Sequence, residues 1–256
     1  MDRDYLSINR DLWNAEACDW AEMAQRHWAE PTPIWGNWNN PDKDLNLLPD
    51  DMSGQDAVEL GCGTGYVSYW MHLRGARVTA IDISSEQLAT ARALAKEYDA
   101  GITFLEGNAE ATGLPDAAFD FAISEYGASI WCTPKVWLAE AWRLLRPGGR
   151  LVFLGNHPLS LICSPLDGAP ADRTLHRPYR DMWGADWTEV EIEPSGVCFN
   201  LTTADWISLF NTIGFRITNY HELYAPDWAE GTRAAITADW ARAYPVEQIW
   251  QLQKPL

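Results

Sequence analysis

A short apolar strand that runs into three alternate glycines and then into a helix leaves a chain few folds to choose from, and Val58-Glu59-Leu60-Gly61-Cys62-Gly63-Thr64-Gly65 is such a run. Glycine turns the backbone sharply at positive φ and lets a bulky ligand approach where a Cβ would intrude. After a strand, the run makes a floor for a small molecule. Seventeen residues past Gly65, a second predicted strand, Arg77-Val78-Thr79-Ala80-Ile81, ends at Asp82. An acidic residue at the tip of the neighbouring parallel strand can accept both hydrogen bonds of a ribose diol, as in doubly wound α/β sheets that bind nucleosides. The gap suits one helix, predicted from Tyr66 to Arg74 and closed by Gly75.

Nicotinamide dinucleotides use similar parts, so the spacing has to decide. It is G-x-G-x-G, and Tyr66 stands three positions after the second glycine, where a dinucleotide helix needs a small residue close to the pyrophosphate. Glu59 lies two residues before the first glycine, a poor neighbour for pyrophosphate and a good one for the ammonium group of an amino acid. Both features favour S-adenosylmethionine over NAD.

The segments that follow repeat the strand and helix alternation. Ser84 with Gln87 three residues later is a capping box, and Leu88, Ala91, Leu94 and Ala95 then fall on one helical face. Ile102-Thr103-Phe104-Leu105 and Phe121-Ala122-Ile123 have the length and apolarity of buried parallel strands. Pro147-Gly148-Gly149 stops a helix and starts a strand. Alternation of this kind predicts a parallel sheet with helices on both faces.

In this order the motifs resemble the class I S-adenosylmethionine-dependent methyltransferases of the small-molecule, methyltransferase-11 type. The resemblance rests on the glycine run, on Gly107-Asn108-Ala109-Glu110 through Leu114-Pro115, on Ala118-Phe119-Asp120-Phe121-Ala122-Ile123-Ser124, and on Leu144 through Phe153. It covers residues 55 to 155 strongly and 200 to 255 more loosely. It implies a doubly wound, mostly parallel seven-stranded sheet whose last two strands, sought in 214–220 and 248–252, add one antiparallel member. It also implies a donor site of Glu59, Gly61, Cys62, Gly63, Gly65, Asp82, Ile83, Asn108, Ala109 and Glu125, with S-adenosylhomocysteine as product and no metal. Many relatives carry Asp where this chain has Asn108; asparagine still offers an acceptor and donors to adenine, with the Ala109 amide beside it.

The single domain is expected to divide into an N-terminal helical cap (1–52), the cofactor-binding half (53–155), an insertion after the fifth strand (156–200) and a C-terminal helix and strand hairpin (201–256). Within the insertion, 188–193 alternates and 197–199 is apolar, which reads as a β-hairpin. The insertion leaves from a strand's carboxyl end, where open α/β sheets bind ligands, so it is a candidate lid over the acceptor.

The net charge is −17, which repels phosphate backbones and anionic membranes and fits either solubility or attraction of cationic or neutral substrates. No apolar run reaches a membrane span and the first residues lack a signal-peptide pattern, so a cytoplasmic monomer or homodimer acting on a small molecule is expected, without nucleic acid. Five scattered cysteines without a C-x-x-C read as buried thiols.

Tryptophan is abundant, 15 residues, and falls largely in the flanks. Trp206 and Phe210 sit at helical spacing and should pack on the sheet. Trp35 and Trp38 lie in a turn-rich loop and are candidate substrate contacts, holding a flat ring by stacking or an amine by cation–π attraction. His157, two residues beyond a predicted strand, is the candidate base or substrate contact, against the alternative of a loop hydrogen bond. The resemblance also implies that Glu125 and Tyr126, at the end of the fourth strand, lie near the sulfonium, which makes Tyr126 a candidate substrate contact. Two other classes have the same motifs in part: a non-catalytic adenosylmethionine or adenosylhomocysteine sensor, and a nicotinamide oxidoreductase.

Overall fold

Seven strands make the central sheet of the computed structural model, which describes residues 4–192 and 194–256. In chain order they are β1 (Asp56–Leu60), β2 (Arg77–Asp82), β3 (Thr103–Glu106), β4 (Phe119–Glu125), β5 (Leu145–Asn156), β6 (Arg216–Leu223) and β7 (Glu247–Gln253). Their spatial order is β6-β7-β5-β4-β1-β2-β3. Strands β1 to β5 pair in parallel, and β7 runs antiparallel to both β5 and β6. The order reverses between β1 and β4, the place where such sheets open a crevice for ligands. Strand β3 is the sheet's edge rather than a fully buried strand: Thr103 and Glu106 are exposed.

Period-two alternation assigns side chains to the two faces. Phe121, Ile123, Val152, Leu154 and Ile249 enter one apolar cluster, shared with the helix Tyr66–Leu73 (α3) and with Leu94 and Ala95 of the helix Ser85–Glu97 (α4). Ala122, Leu151, Phe153, Trp250 and Leu252 enter the opposite one, with the helices Pro134–Leu144 (α5) and Thr203–Ile213 (α7). Trp206 and Phe210 are sealed there against Phe153, as their spacing predicts. Truncating such a ring to alanine costs about 3–5 kcal/mol.

The Gly75 cap forms as predicted, and Ser84 makes one half of its capping box, its own amide going to Asp82 instead of the Gln87 side chain. Ser84 Oγ accepts from the Gln87 amide at 3.1 Å, and Gly75 takes φ +93° past the end of α3. The hairpin in the insertion forms with different partners: Gly184–Asp186 pairs with Val197–Phe199, Ala185 opposite Cys198. Asp186 Oδ1 accepts from the Thr188 amide at 3.1 Å, a local turn that ends the strand before the alternating stretch begins. Of that stretch, Glu193 lies outside the described residues.

Residues 158–163 form a short helix, α6 (Pro158–Cys163), whose Leu161 and Ile162 join a third apolar cluster with Trp187, Trp240 and Val246. The N-terminal segment forms α1 (Tyr5–Ala15) and α2 (Ala21–Ala29). Four cysteines are buried, but Cys18 is exposed, lying between α1 and α2. Among the described residues no helix is long and apolar enough to cross a membrane.

Candidate active site

The tips of β1, β2 and β4 open into a cavity of about 910 Å³ that runs on beneath α1 and α2 and beside α6. Its floor is the glycine turn, and the three glycines do three different things. Gly63 faces the cavity at φ +49°, and a Cβ built on it would meet nothing within 4 Å, so the space above it is free for a ligand. Gly61 is glycine because its would-be Cβ lies 2.6 Å from the Gly127 backbone, so the tips of β1 and β4 touch. Gly65 caps α3 over the Phe104 ring, with no part in the cavity wall.

Of the residues expected at the donor site, Glu59, Cys62, Asp82, Ile83, Asn108, Ala109 and Glu125 all line this one cavity, as do Gly61 and Gly63. Asp82 Oδ2 accepts from the Gly63 amide at 2.7 Å and Oδ1 from the Ser84 amide at 2.8 Å. Each oxygen keeps a second lone pair for a diol. Burial holds this carboxyl above its ordinary range. Asn108 Oδ1 accepts from the Glu110 amide at 2.9 Å, which leaves its NH2 group as the free end. The free Gly63 surface, the acid at the tip of β2 and the amide at 108 fit a nucleoside with an amino-acid tail.

Beyond the floor the cavity becomes carboxylate-rich. Glu59 is buried, with the Ser68 hydroxyl donating to it at 2.5 Å, and burial pushes its proton affinity well up. Glu125 accepts from the Tyr66 phenol and the Gly36 amide, and burial raises it to about 7. Behind it, Glu247 accepts from the Asn37 amide at 2.7 Å and burial raises it to about 8. The residue after Glu125, Tyr126, lines the cavity with a left-handed backbone, φ +52°.

The outer wall is aromatic. Trp13 packs at 5.2 Å on Trp131 and at 5.6 Å on Trp20, and all three border the cavity with Trp187. Two cations, Arg26 and Arg233, also line it, and neither pairs with a carboxylate among the described residues. Arg233 donates to the Asn37 carbonyl and lies 5.3 Å from the Trp38 ring centroid.

Four expectations are corrected: Gly65 of the expected donor site stays outside the cavity wall, and three candidate acceptor contacts do too. Trp35 and Trp38 are both 0% exposed and outside the cavity wall. Trp35 donates to Asp42 at 2.9 Å inside the core, and Trp38 is the platform beneath Arg233 rather than a substrate contact. Their loop has no periodicity, yet it is folded inward over large apolar clusters. His157 is also absent from the cavity wall: it caps α6, its Nδ1 accepting from the Leu159 amide at 3.1 Å while Nε2 faces Glu222 at 3.3 Å. The proline after it places the ring as a helix cap, which leaves no nitrogen free for a base.

Sequence reasoning missed Tyr66 as a partner of Glu125, and it missed Glu247 and Arg233. Tyr66 was legible as the first helical residue after the glycine turn. Glu247 comes to lie behind Glu125 through the return of β7, and Arg233 reaches the cavity on a small hairpin in which Thr232 pairs with Thr237 and Arg233 with Ile236; no local motif marks either.

A methyltransferase-domain family model matches residues 58–153. A malonyl-[acyl-carrier protein] O-methyltransferase of Pectobacterium atrosepticum is 39% identical over 214 residues, covering 80% of this chain and 79% of that protein. A 2-methyl-6-phytyl-1,4-hydroquinone methyltransferase of Oryza sativa is 29% identical over 77% of this chain and 50% of its own length. Among solved structures, an S-adenosylmethionine-dependent methyltransferase from Mesorhizobium loti superposes with a TM-score of 0.64 at 25% identity, over 82% of this chain and 94% of that one. The chain belongs to the class I S-adenosylmethionine-dependent methyltransferases of the methyltransferase-11 type, and it carries the methyl group to a small-molecule acceptor.

Proposed function

We propose that the cavity seats donor and acceptor end to end, and that the acceptor is a small molecule with a carboxylate whose oxygen takes the methyl group. The observation that carries this reading is the pair of guanidinium groups, Arg26 and Arg233, at one cavity of a chain with net charge −17, neither of them paired with a carboxylate among the described residues. The likeness to a malonyl-[acyl-carrier protein] O-methyltransferase supports it. A cavity of 910 Å³ is near the upper end of the usual range of about 300–1,000 Å³, which leaves room for two molecules.

S-adenosylmethionine supplies an activated methyl group on a sulfonium. The protein's share is to bind, align and exclude water. Gly63, Asp82, Asn108 and Ala109 hold the nucleoside, and Glu59 lies near the amino-acid end. Arg233, backed by Trp38, orients the acceptor carboxylate, while Trp13, Trp20 and Trp131 shield the reaction from solvent. A carboxylate is already ionised at neutral pH, so the step asks for no base and no metal. S-adenosylhomocysteine leaves as product, and the enzyme works as a cytoplasmic monomer or homodimer.

The indole wall and the rice relative favour a second reading, a hydroquinone ring as acceptor. Methyl-labelled donor incubated with a malonyl thioester of pantetheine and, separately, with a dimethyl hydroquinone separates the two. The first reading expects label in the thioester, with KM raised at least tenfold by Arg233→Ala; label in the hydroquinone alone would replace it. Asp82→Ala tests the donor placement, since losing two charge-assisted hydrogen bonds of about 1.5–3 kcal/mol each should weaken S-adenosylhomocysteine binding at least tenfold. Calorimetric affinity unchanged within about twofold would remove Asp82 from the ribose.

A further inference from the structure

Glu125 is the one carboxyl of the inner cluster that both lines the cavity at a strand tip and is held by a phenol. Its surroundings come from five elements. Tyr66 of α3 donates to it, and Gly36 of the 35–39 turn donates its amide. Glu59 of β1 and Glu247 of β7 are acidic neighbours, each feeling its charge. His27 of α2 packs its ring 4.6 Å from Tyr66 and is kept neutral by burial. Among the described residues no Lys or Arg forms an ion pair with Glu125. A buried carboxylate with two donors, acidic neighbours and no cation lacks a counter-charge.

The reaction brings one. The donor carries a positive sulfur and the demethylated product a neutral one, while both carry the same ammonium and carboxylate. With the nucleoside placed over Gly63 and Asp82 as in the proposed function, the strand order β4-β1-β2 leaves the other end of the donor the β4 side of the same cavity, where Glu125 lines the wall.

We propose that Glu125 is the counter-charge of the sulfonium: it holds a proton while the cavity lacks one, and gives that proton up when the sulfonium arrives. The protein therefore binds S-adenosylmethionine with proton release and S-adenosylhomocysteine without it. Loss of the methyl group removes the positive charge beside Glu125, the carboxyl takes a proton back, and the site's preference turns against retaining the product. The proton affinity of Glu125, raised to about 7, puts this exchange in the neutral range. Tyr66 is a positioning residue here, favouring the ionised form by its hydrogen bond.

Calorimetry of both ligands between pH 6 and 7, in buffers of different ionisation heat, reads the exchange directly. In this window the α-amino groups of both ligands are charged, so they cancel. With Glu125 titrating at about 7, S-adenosylmethionine should release about half a proton at pH 7 and bind roughly fivefold more weakly at pH 6, while S-adenosylhomocysteine shows neither effect. Glu125→Gln should abolish the difference and Glu247→Gln should keep it. If the first variant does not fold, Tyr66→Phe should move the exchange to higher pH. Equal release with both ligands, release with neither, or a difference that survives Glu125→Gln overturns the proposal. Binding of S-adenosylhomocysteine is read in the same titrations and tests the donor site separately: its absence would count against the site, not the proton exchange alone.

Discussion

His157 Nε2 lies 3.3 Å from Glu222 Oε1, reaching from the end of β5 past the intervening start of β7 to β6, while its Nδ1 closes the first turn of α6. Both nitrogens serve the scaffold. His157→Ala should therefore cost about 0.5–2 kcal/mol of stability, the worth of a lost cap, and leave S-adenosylhomocysteine affinity and turnover within about threefold. Urea unfolding beside a methyl-transfer assay checks this; a rate loss beyond a hundredfold in a stable variant would restore the histidine to catalysis.

Gly63 is the open position of the floor. Valine there would place methyl groups in the space above the turn and force a β-branched residue to φ +49°. Gly63→Val should keep an α/β far-UV spectrum and lose S-adenosylhomocysteine binding at least a hundredfold. A folded variant with normal affinity would mean that nothing passes over this glycine.

Glu140 ties α5 to the turn after β3: Arg143 and the Thr112 hydroxyl and amide hydrogen-bond to it and hold its carboxyl down to about 2, against the opposing push of burial. Because the folded value is depressed from 4.5, this stabilisation is complete above that pH and drains away as the pH falls toward 2. Roughly two fifths should remain at pH 3. The urea midpoint of Glu140→Gln should thus fall well below wild type at pH 6 and approach it at pH 3. A constant gap between the two proteins would show that the ion pair carries no pH dependence.

The donor half was legible because its chemistry is local. A glycine with open space above it and an acid at a strand tip each lie within one strand and the loop after it, so spacing brings Gly63 and Asp82 to one cavity, and the family resemblance adds Asn108 to its wall. The acceptor half is assembled from distant segments. Trp38 and His157 were misplaced because a non-periodic loop was read as surface and a histidine near a strand end as free, when tertiary packing had engaged both. Tryptophan abundance misled for the same reason: Trp28 donates to the Thr64 carbonyl at 2.9 Å and stacks at 4.5 Å on Tyr69, fastening the cap to the glycine turn instead of touching a ligand.

The bare contact between Gly61 and Gly127, where a Cβ on Gly127 would fall 2.1 Å from the Gly61 carbonyl oxygen, has a mechanical consequence. With backbone against backbone and no side chain to re-pack, the tips of β1 and β4 have no cushion between them. The nucleoside floor and the Glu125-Tyr126 shoulder must travel as one piece. The N-terminal helices and the segments around Trp187 and Arg233, which border the same cavity above this joint, can shift against it, while a methyl group on either glycine would collide with the backbone of the other strand's tip.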